Sequence, residues 1–306
     1  MTKKYAITGG AGFIGSNLAE ALADGGEVVV VDDLSAGRRE NLAGQNVELV
    51  EGSILDLDLL KEAFEGCACV FHEAAVASVQ RSVEDPIQTS RVGVEGTVNV
   101  LVAARDACAE KVVFASSAAV YGDSPTLPKR EDMRPEPKSP YAVAKLAGVG
   151  FSLAFNEVYG MRNVVLRYFN VYGPRQDPNS EYAAVIPKFV SAYLERIAPV
   201  IFGDGEQTRD FVYVKDVVRA NILASEAGLP GVYNIASGTR TSLKELSGII
   251  KEITCSEVEP IYSEARAGDI RDSVADITNA EEMGYSPEHS LERGLQGMVE
   301  YQTSCS

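Results

Sequence analysis

KYAITGGAGFIGS, residues 4–16, joins a short apolar run (Tyr5, Ala6, Ile7) to four glycines, Gly9, Gly10, Gly12 and Gly15. An amphipathic run through Phe13, Ile14, Leu18, Ala19 and Leu22 follows. The pattern predicts a strand, a tight turn and a helix, the opening of a βαβ unit. Glycines there let the backbone turn sharply and approach a pyrophosphate, which rests against the free N–H groups and positive end of the helix. No Lys follows the last glycine, since Ser16 and Asn17 come next, and this argues against a nucleotide-hydrolysing phosphate loop.

The next predicted strand, Glu27 to Val31, delivers Asp32 and Asp33 at its end, where a ribose-binding acid belongs. A carboxylate there accepts from both ribose hydroxyls and repels a 2′-phosphate, which favours NAD over NADP. Arg38 and Arg39 just beyond leave the phosphorylated cofactor open as the alternative. Further strands are predicted at 47–50, 67–71, 111–115 and 163–167, alternating with helices near 57–65, 87–107 and 140–159. That alternation implies an α/β fold with a doubly wound parallel sheet covered on both faces. Beyond Pro174 the chain turns to loops rich in Pro, Gly and Asp with shorter elements. We therefore expect a Rossmann domain over 1–172, with segments near 209–238 packing back on it, and a smaller substrate-binding lobe over 173–306.

Downstream of the apolar run Val112, Val113 and Phe114 stand Ser117, Tyr141 and Lys145. Tyr and Lys four apart on a helix project from one face, so an ammonium can sit beside a phenol and favour its ionised form. A phenol working as a base near neutrality needs its pKa lowered by about 3 units. The pair alone is also what an ordinary helix face looks like, and the nucleotide-binding context gives it weight.

The net charge of −16 argues against general nucleic-acid binding or attachment to an anionic membrane. Positive charge for an anionic ligand must then be focused locally, with Arg209 and Arg266 as candidates. Cys67, Cys69, Cys108, Cys255 and Cys305 form no disulfide framework, and with only His72 and His289 no His/Cys metal cluster is expected. Apolar runs fall short of a membrane span and Met1 to Lys4 leads straight into the first strand, so a cytoplasmic location is expected. His72 ends an apolar strand beside Glu73, where it is expected to satisfy a local hydrogen bond rather than transfer a proton. Met133 to Pro140 reads as a connecting loop.

Seven segments, in order, resemble the extended branch of the short-chain dehydrogenase/reductase family, specifically NAD-dependent nucleotide-sugar epimerases and dehydratases. They are ITGGAGFIGSN (7–17), HEAA (72–75), SSAAVYGD (116–123), SPYAVAK (139–145), LRYFNVYGPRQ (166–176), GDGEQTRDFVYVKDV (203–217) and RAGDIRDSVAD (266–276). The resemblance implies Tyr141 as catalytic base, Lys145 as its electrostatic partner and ribose ligand, and Ser117 as the hydroxyl bridging substrate and phenol. It implies NAD contacts from Gly9, Gly12, Phe13, Ile14, Gly15, Asp32, Asp33, Ser35, Gly37, Ser53, Ile54, Ala74, Ala75, Ser116 and Tyr168. On the substrate side it implies Ser78, Asn170, Arg209, Arg266, Asp269 and Ser273. Two positions depart from many relatives: Ser53 stands for Asp near the adenine, and Gly93 for Asn near the nicotinamide ribose. The faces near 87–107 and 140–159 resemble those through which relatives form homodimers.

Dehydratase and decarboxylase relatives place an acid at the positions of Ala118 and Ala119, because eliminating water needs a proton donor. Alanine supplies none, so the implied reaction is oxidation and reduction at one carbon: C4 epimerisation of a UDP-hexose through a transient 4-keto sugar. Ser273 stands where related 4-epimerases have either a bulky aromatic or a small residue, and PNSEYAAVIPKF (178–189) resembles UDP-N-acetylglucosamine 4-epimerases. Both favour UDP-glucose/UDP-galactose with acceptance of UDP-GlcNAc/UDP-GalNAc. A UDP-uronate 4-epimerase is the nearest alternative, and a non-catalytic nucleotide-sugar binding protein the more remote one.

Overall fold

A computed structural model describes residues 2–177, 184–226, 229–265 and 271–304. The opening stretch folds as its spacing predicts, into β1 (Lys3–Thr8), α1 (Phe13–Ala23) and β2 (Gly26–Asp32). β3 (Glu48–Glu51), α2 (Leu57–Ala63), β4 (Cys69–His72) and α3 (Val79–Glu84) follow. The helix expected near 87–107 is three segments: α4 (Pro86–Ser90), a π-helical stretch (Arg91–Gly96) and α5 (Thr97–Asp106). Next come β5 (Lys111–Ser117), α6 (Pro140–Tyr159) and β6 (Val164–Tyr168), with Met133 to Ser139 a loop.

Shorter elements then alternate: β7 (Asn170–Tyr172), α7 (Val185–Leu194), β8 (Val200–Phe202), β9 (Thr208–Arg209), β10 (Phe211–Tyr213), α8 (Val214–Glu226) and β11 (Gly231–Ile235). β12 (Thr241–Ser242), α9 (Leu243–Ile253), β13 (Ile261–Ser263), α10 (Thr278–Glu282) and α11 (Leu291–Ser304) complete the described chain. One sheet has seven parallel strands in the order β3-β2-β1-β4-β5-β6-β11. This is a doubly wound α/β fold extended by a strand from far along the chain.

Runs such as Val28–Val31 and Val112–Ala115 are buried throughout, as strands covered on both faces require. Alternate residues feed opposite layers. Ile7, Phe71 and Val113 pack with Leu18, Leu22, Val217 and Ala220 of α1 and α8, while Ala6, Val70 and Val112 meet Leu60, Val100 and Ala104 of α2 and α5. Each fully buried Val, Leu or Phe side chain contributes about 1.5–3 kcal/mol. A second core, around Tyr172, Phe189, Tyr193, Tyr213, Leu246 and Leu295, organises the later elements.

The placement of α6 has local causes. Ser139 Oγ accepts from Ala142 N (3.2 Å), and Pro140 occupies the first turn, where its missing N–H costs nothing. At Gly148 a Cβ would lie 2.3 Å from the Phe114 ring, so the helix approaches β5 more closely than a side chain allows. One turn earlier, Lys145 thereby reaches the strand backbone.

Candidate active site

The carboxyl ends of the parallel strands meet along one edge, where doubly wound folds hold ligands. β1 is followed by Gly9, whose φ of +71° is a left-handed conformation and where a Cβ would lie 2.6 Å from Ala74 N. At Gly15 a Cβ would come within 2.3 Å of Gly9 O, so helix and turn are in near contact. α1 begins with no side-chain cap and no acid in its first turn, which leaves its N–H groups and positive end open to an anion. Asp32 is buried and accepts from Ala11 N and Leu34 N, both at 2.9 Å. Burial pushes its carboxyl above the usual range against those bonds. Asp33 is turned toward Ser35, accepting from its N–H at 3.0 Å and its hydroxyl at 2.5 Å, while Gly37 packs against Asp32 and Ala11. Arg38 and Arg39, which left NADP open, are paired with Asp177 and Glu51.

Ser117, Tyr141 and Lys145 converge at the end of β5. Lys145 is buried, donates to Ala115 O at 2.6 Å, and lies 5.9 Å from the centre of the Tyr141 ring. Ser117 Oγ accepts from Ala119 N (3.1 Å), so its own proton is free to point elsewhere, and its hydroxyl reaches the Tyr141 phenol. The Tyr141 phenol is pushed above its ordinary pKa by burial; the Ser117 hydrogen bond pulls it down and the Glu73 charge pushes it up. That direction is opposite to the one the Tyr–Lys spacing predicts. Desolvation dominates at the phenol, and Lys145 itself is driven below its ordinary range by burial.

Two neighbours complete the strand edge. His72 is fully buried, with Nδ1 2.8 Å from Thr8 Oγ1 and Nε2 3.0 Å from Thr97 Oγ1. Thr97 gives its only proton to Gly93 O (2.8 Å), so Nε2 must carry the imidazole proton and Nδ1 must accept from Thr8. Burial lowers the His72 pKa to about 3. It is a structural brace that ties β1 and β4 to the first residue of α5. Glu73, which sequence reasoning left out, is half-buried and accepts from the Tyr168 hydroxyl at 2.7 Å; that hydroxyl accepts from Asn221 Nδ2 at 2.7 Å. Burial raises the Glu73 carboxyl well above the ordinary range. An acid ending an apolar strand beside a ligand loop was the available signal.

The model of a family described as the NAD dependent epimerase/dehydratase family matches residues 5–236. The chain belongs to that family. It is 43% identical over 305 residues to a UDP-glucose 4-epimerase of Mycolicibacterium smegmatis, covering 96% of this chain and 97% of that one. Among solved structures it is similar to a UDP-N-acetylglucosamine 4-epimerase from Methanobrevibacter ruminantium in complex with UDP-N-acetylmuramic acid. That match has a TM-score of 0.97 and 41% identity, covering 100% and 99% of the two chains. It is also similar to a UDP-glucose 4-epimerase of Thermotoga maritima with UDP-glucose, with a TM-score of 0.95, 41% identity and 99% of each chain covered.

As a member of the NAD dependent epimerase/dehydratase family the chain fits its cofactor on structural grounds. The glycine turn has no room for side chains, the α1 terminus is uncapped, and Ser116 Oγ is buried at the strand edge without a partner. Ala74 and Ala75 line a narrow pocket with Gly93, Thr97, Tyr141 and Lys145. Tyr168 is buried at the same edge, opposite Ser117 in register. Ser53 Oγ accepts from Leu55 N (3.3 Å), and buried Ile54 packs where a Cβ on Gly96 would stand. At Gly93 a Cβ would lie 2.8 Å from Ala144 Cβ, so glycine here admits the close approach of the π-helical stretch to α6.

Of the residues expected to meet substrate, Asn170 and Arg209 line a separate cleft of about 710 Å³, with Lys188, Phe189, Phe202 and Gln207. The Arg209 guanidinium donates to Thr208 O (2.8 Å). Ser78 Oγ caps α3 by accepting from Arg81 N (3.2 Å), and Ser273 is half-buried. Arg266, Asp269, Cys305 and residues 178–183 of the PNSEYAAVIPKF run lie outside the described residues. Among the described residues no cluster of metal-binding side chains occurs.

Proposed function

We propose that this protein interconverts the C4 epimers of a UDP-hexose, UDP-glucose with UDP-galactose, and that it also takes UDP-GlcNAc and UDP-GalNAc. The observation that carries the reading is the meeting of Ser117, Tyr141 and Lys145 at the end of β5, beside a glycine turn built for a dinucleotide. Tyr141 takes the C4 hydroxyl proton through Ser117, whose oxygen is already held by the Ala119 N–H so that its proton is the mobile one. NAD, when bound, would supply the hydride acceptor and donor at C4. The 4-keto sugar turns about its linkage to the diphosphate, and Tyr141 returns the proton after the opposite face is presented. Ala118 and Ala119 offer no proton for eliminating water, so the sequence ends at epimerisation.

Residues 1–172, joined by α8 and β11, serve the cofactor in this reading, and those from 173 on shape the sugar-nucleotide cleft. Arg209, Arg266, Asn170 and Asp269 hold the diphosphate and its base or ribose, and the small Ser273 leaves space for an N-acetyl group. Admitting that group does not exclude the plain hexose. The protein acts in the cytoplasm as a homodimer: Val83 of α3, Ile87 of α4, and Val143 and Val158 of α6 are exposed on helices that pack together, an apolar face suited to a second copy.

Incubation with UDP-glucose, UDP-GlcNAc and UDP-glucuronate in separate reactions, without added cofactor, tests the substrate. Chromatography is expected to resolve C4 epimers of the first two and leave the third unchanged. Conversion of UDP-glucuronate alone would replace this reading with a uronate 4-epimerase.

A further inference from the structure

Gln207, Arg209 and Phe211 line the cleft of about 710 Å³. Successive side chains of an extended chain point to opposite sides, so Thr208 and Asp210, between them, reach the segments behind it. Thr208 N donates to Arg271 O at 2.9 Å, and its hydroxyl donates to Asp272 Oδ1 at 2.6 Å. Asp210 is fully buried. Its Oδ1 accepts from Ser237 N (2.8 Å) and Ser237 Oγ (2.7 Å), and its Oδ2 accepts from Gly238 N and Ala275 N, both at 3.1 Å. Its own carbonyl accepts from Asn170 N at 3.1 Å. One residue thus joins the chain between β9 and β10 to the turn after β11, to the stretch that carries Ser273, and to the first residue of β7.

We infer that Asp210 is a positioning residue for the sugar nucleotide: its carboxylate fixes the backbone on which Arg209, Asn170 and Ser273 stand, and so sets binding in the cleft without touching the ligand. Two donors on each oxygen call for a group that only accepts, and an ionised carboxylate is that group. An amide of the same size cannot replace it. Whichever way Asn is turned, its NH₂ faces two buried donors, and the segment that carries them must draw back to find other partners. Those segments all belong to the cleft side. The reacting edge is held by other bonds, Lys145 to Ala115 O and Ala119 N to Ser117 Oγ, so loss of the Asp210 ties separates binding from chemistry.

This role depends on the cleft holding the UDP part of the substrate, as proposed above, and UDP binding is therefore measured beside turnover. The full chain and its Asp210→Asn variant are titrated with UDP by calorimetry, assayed with UDP-glucose, and their bound NAD is measured after gel filtration. In Asp210→Asn the Kd for UDP and the KM for UDP-glucose are expected to rise together by about tenfold, with kcat lowered by less than about threefold. NAD content is expected to be retained. Ser237→Ala removes one of the four donors and should weaken UDP binding by about threefold in the same pattern; it carries the test if Asp210→Asn does not fold. UDP affinity unchanged in each variant that folds, or a fall in kcat as large as the rise in KM, would overturn the inference. A wild type that turns over no UDP-sugar, yet binds UDP more tightly than the variants do, would sink the functional reading and leave the role of Asp210 standing.

Discussion

Tyr141, Ser117 and Lys145 are side chains whose chemistry depends on how little water surrounds them. Burial works against the charged forms of both Tyr141 and Lys145, and the free protein keeps a phenol rather than a phenolate. Replacing Tyr141 with Phe is expected to lower turnover by about 10²–10⁴-fold, with cofactor affinity retained because the glycine turn and Lys145 are untouched; steady-state assays and a cofactor titration check both. His72 offers a different measurement. Its folded pKa is depressed from 6.5 to about 3. The neutral, bonded imidazole therefore stabilises the fold fully above the unfolded value of 6.5, and this contribution is lost as pH falls from there through about 3. Denaturant midpoints across that range should fall less steeply in His72→Asn than in the wild type. That Ser117, Tyr141 and Lys145 come together and that Asp32 ends β2 was legible because their spacing and neighbours are local in sequence. The sign of the Tyr141 shift was not, since it depends on how tightly β5, α6 and the strand edge enclose the ring, and Glu73 gains its meaning only from Tyr168 and Asn221, on elements distant in the chain.

At the scale of elements, β1, α1 and β2 follow from apolar periodicity and glycine spacing almost residue for residue. The π-helical stretch does not. Its sequence, RVGVEG, has ordinary helical periodicity, and the bulge arises where Gly93 meets Ala144 and its carbonyl accepts from Thr97. β11 was legible only as part of a segment folding back, because nothing local says which sheet edge a late strand will join. The close approaches give element-level tests. In Gly15→Ala the added carbon would lie 2.3 Å from a backbone oxygen that cannot yield, so α1 must shift away from the turn. We expect a loss of about 1–3 kcal/mol of stability together with the loss of bound NAD, read by thermal melting and by cofactor content after gel filtration.

Over the whole molecule, a parallel sheet carries Ser117, Tyr141 and Lys145 at one edge, and the later elements, around a second core, line a cleft of about 710 Å³ that the proposed function gives to the sugar nucleotide. With a net charge of −16, recognition of such a ligand has to come from a few placed arginines rather than from the overall field. The exposed apolar residues of α3, α4 and α6 predict an assembly, so Val83→Glu with Val158→Glu should convert a dimer to a monomer in sedimentation analysis while leaving the fold's circular dichroism intact. The most direct test of the chemistry follows the hydrogen on the reacting carbon. UDP-glucose carrying deuterium at C4, incubated with the protein and no added cofactor, should yield UDP-galactose that retains the deuterium at C4. Recovery of product with hydrogen from water at that carbon, or no product at all, would contradict the account.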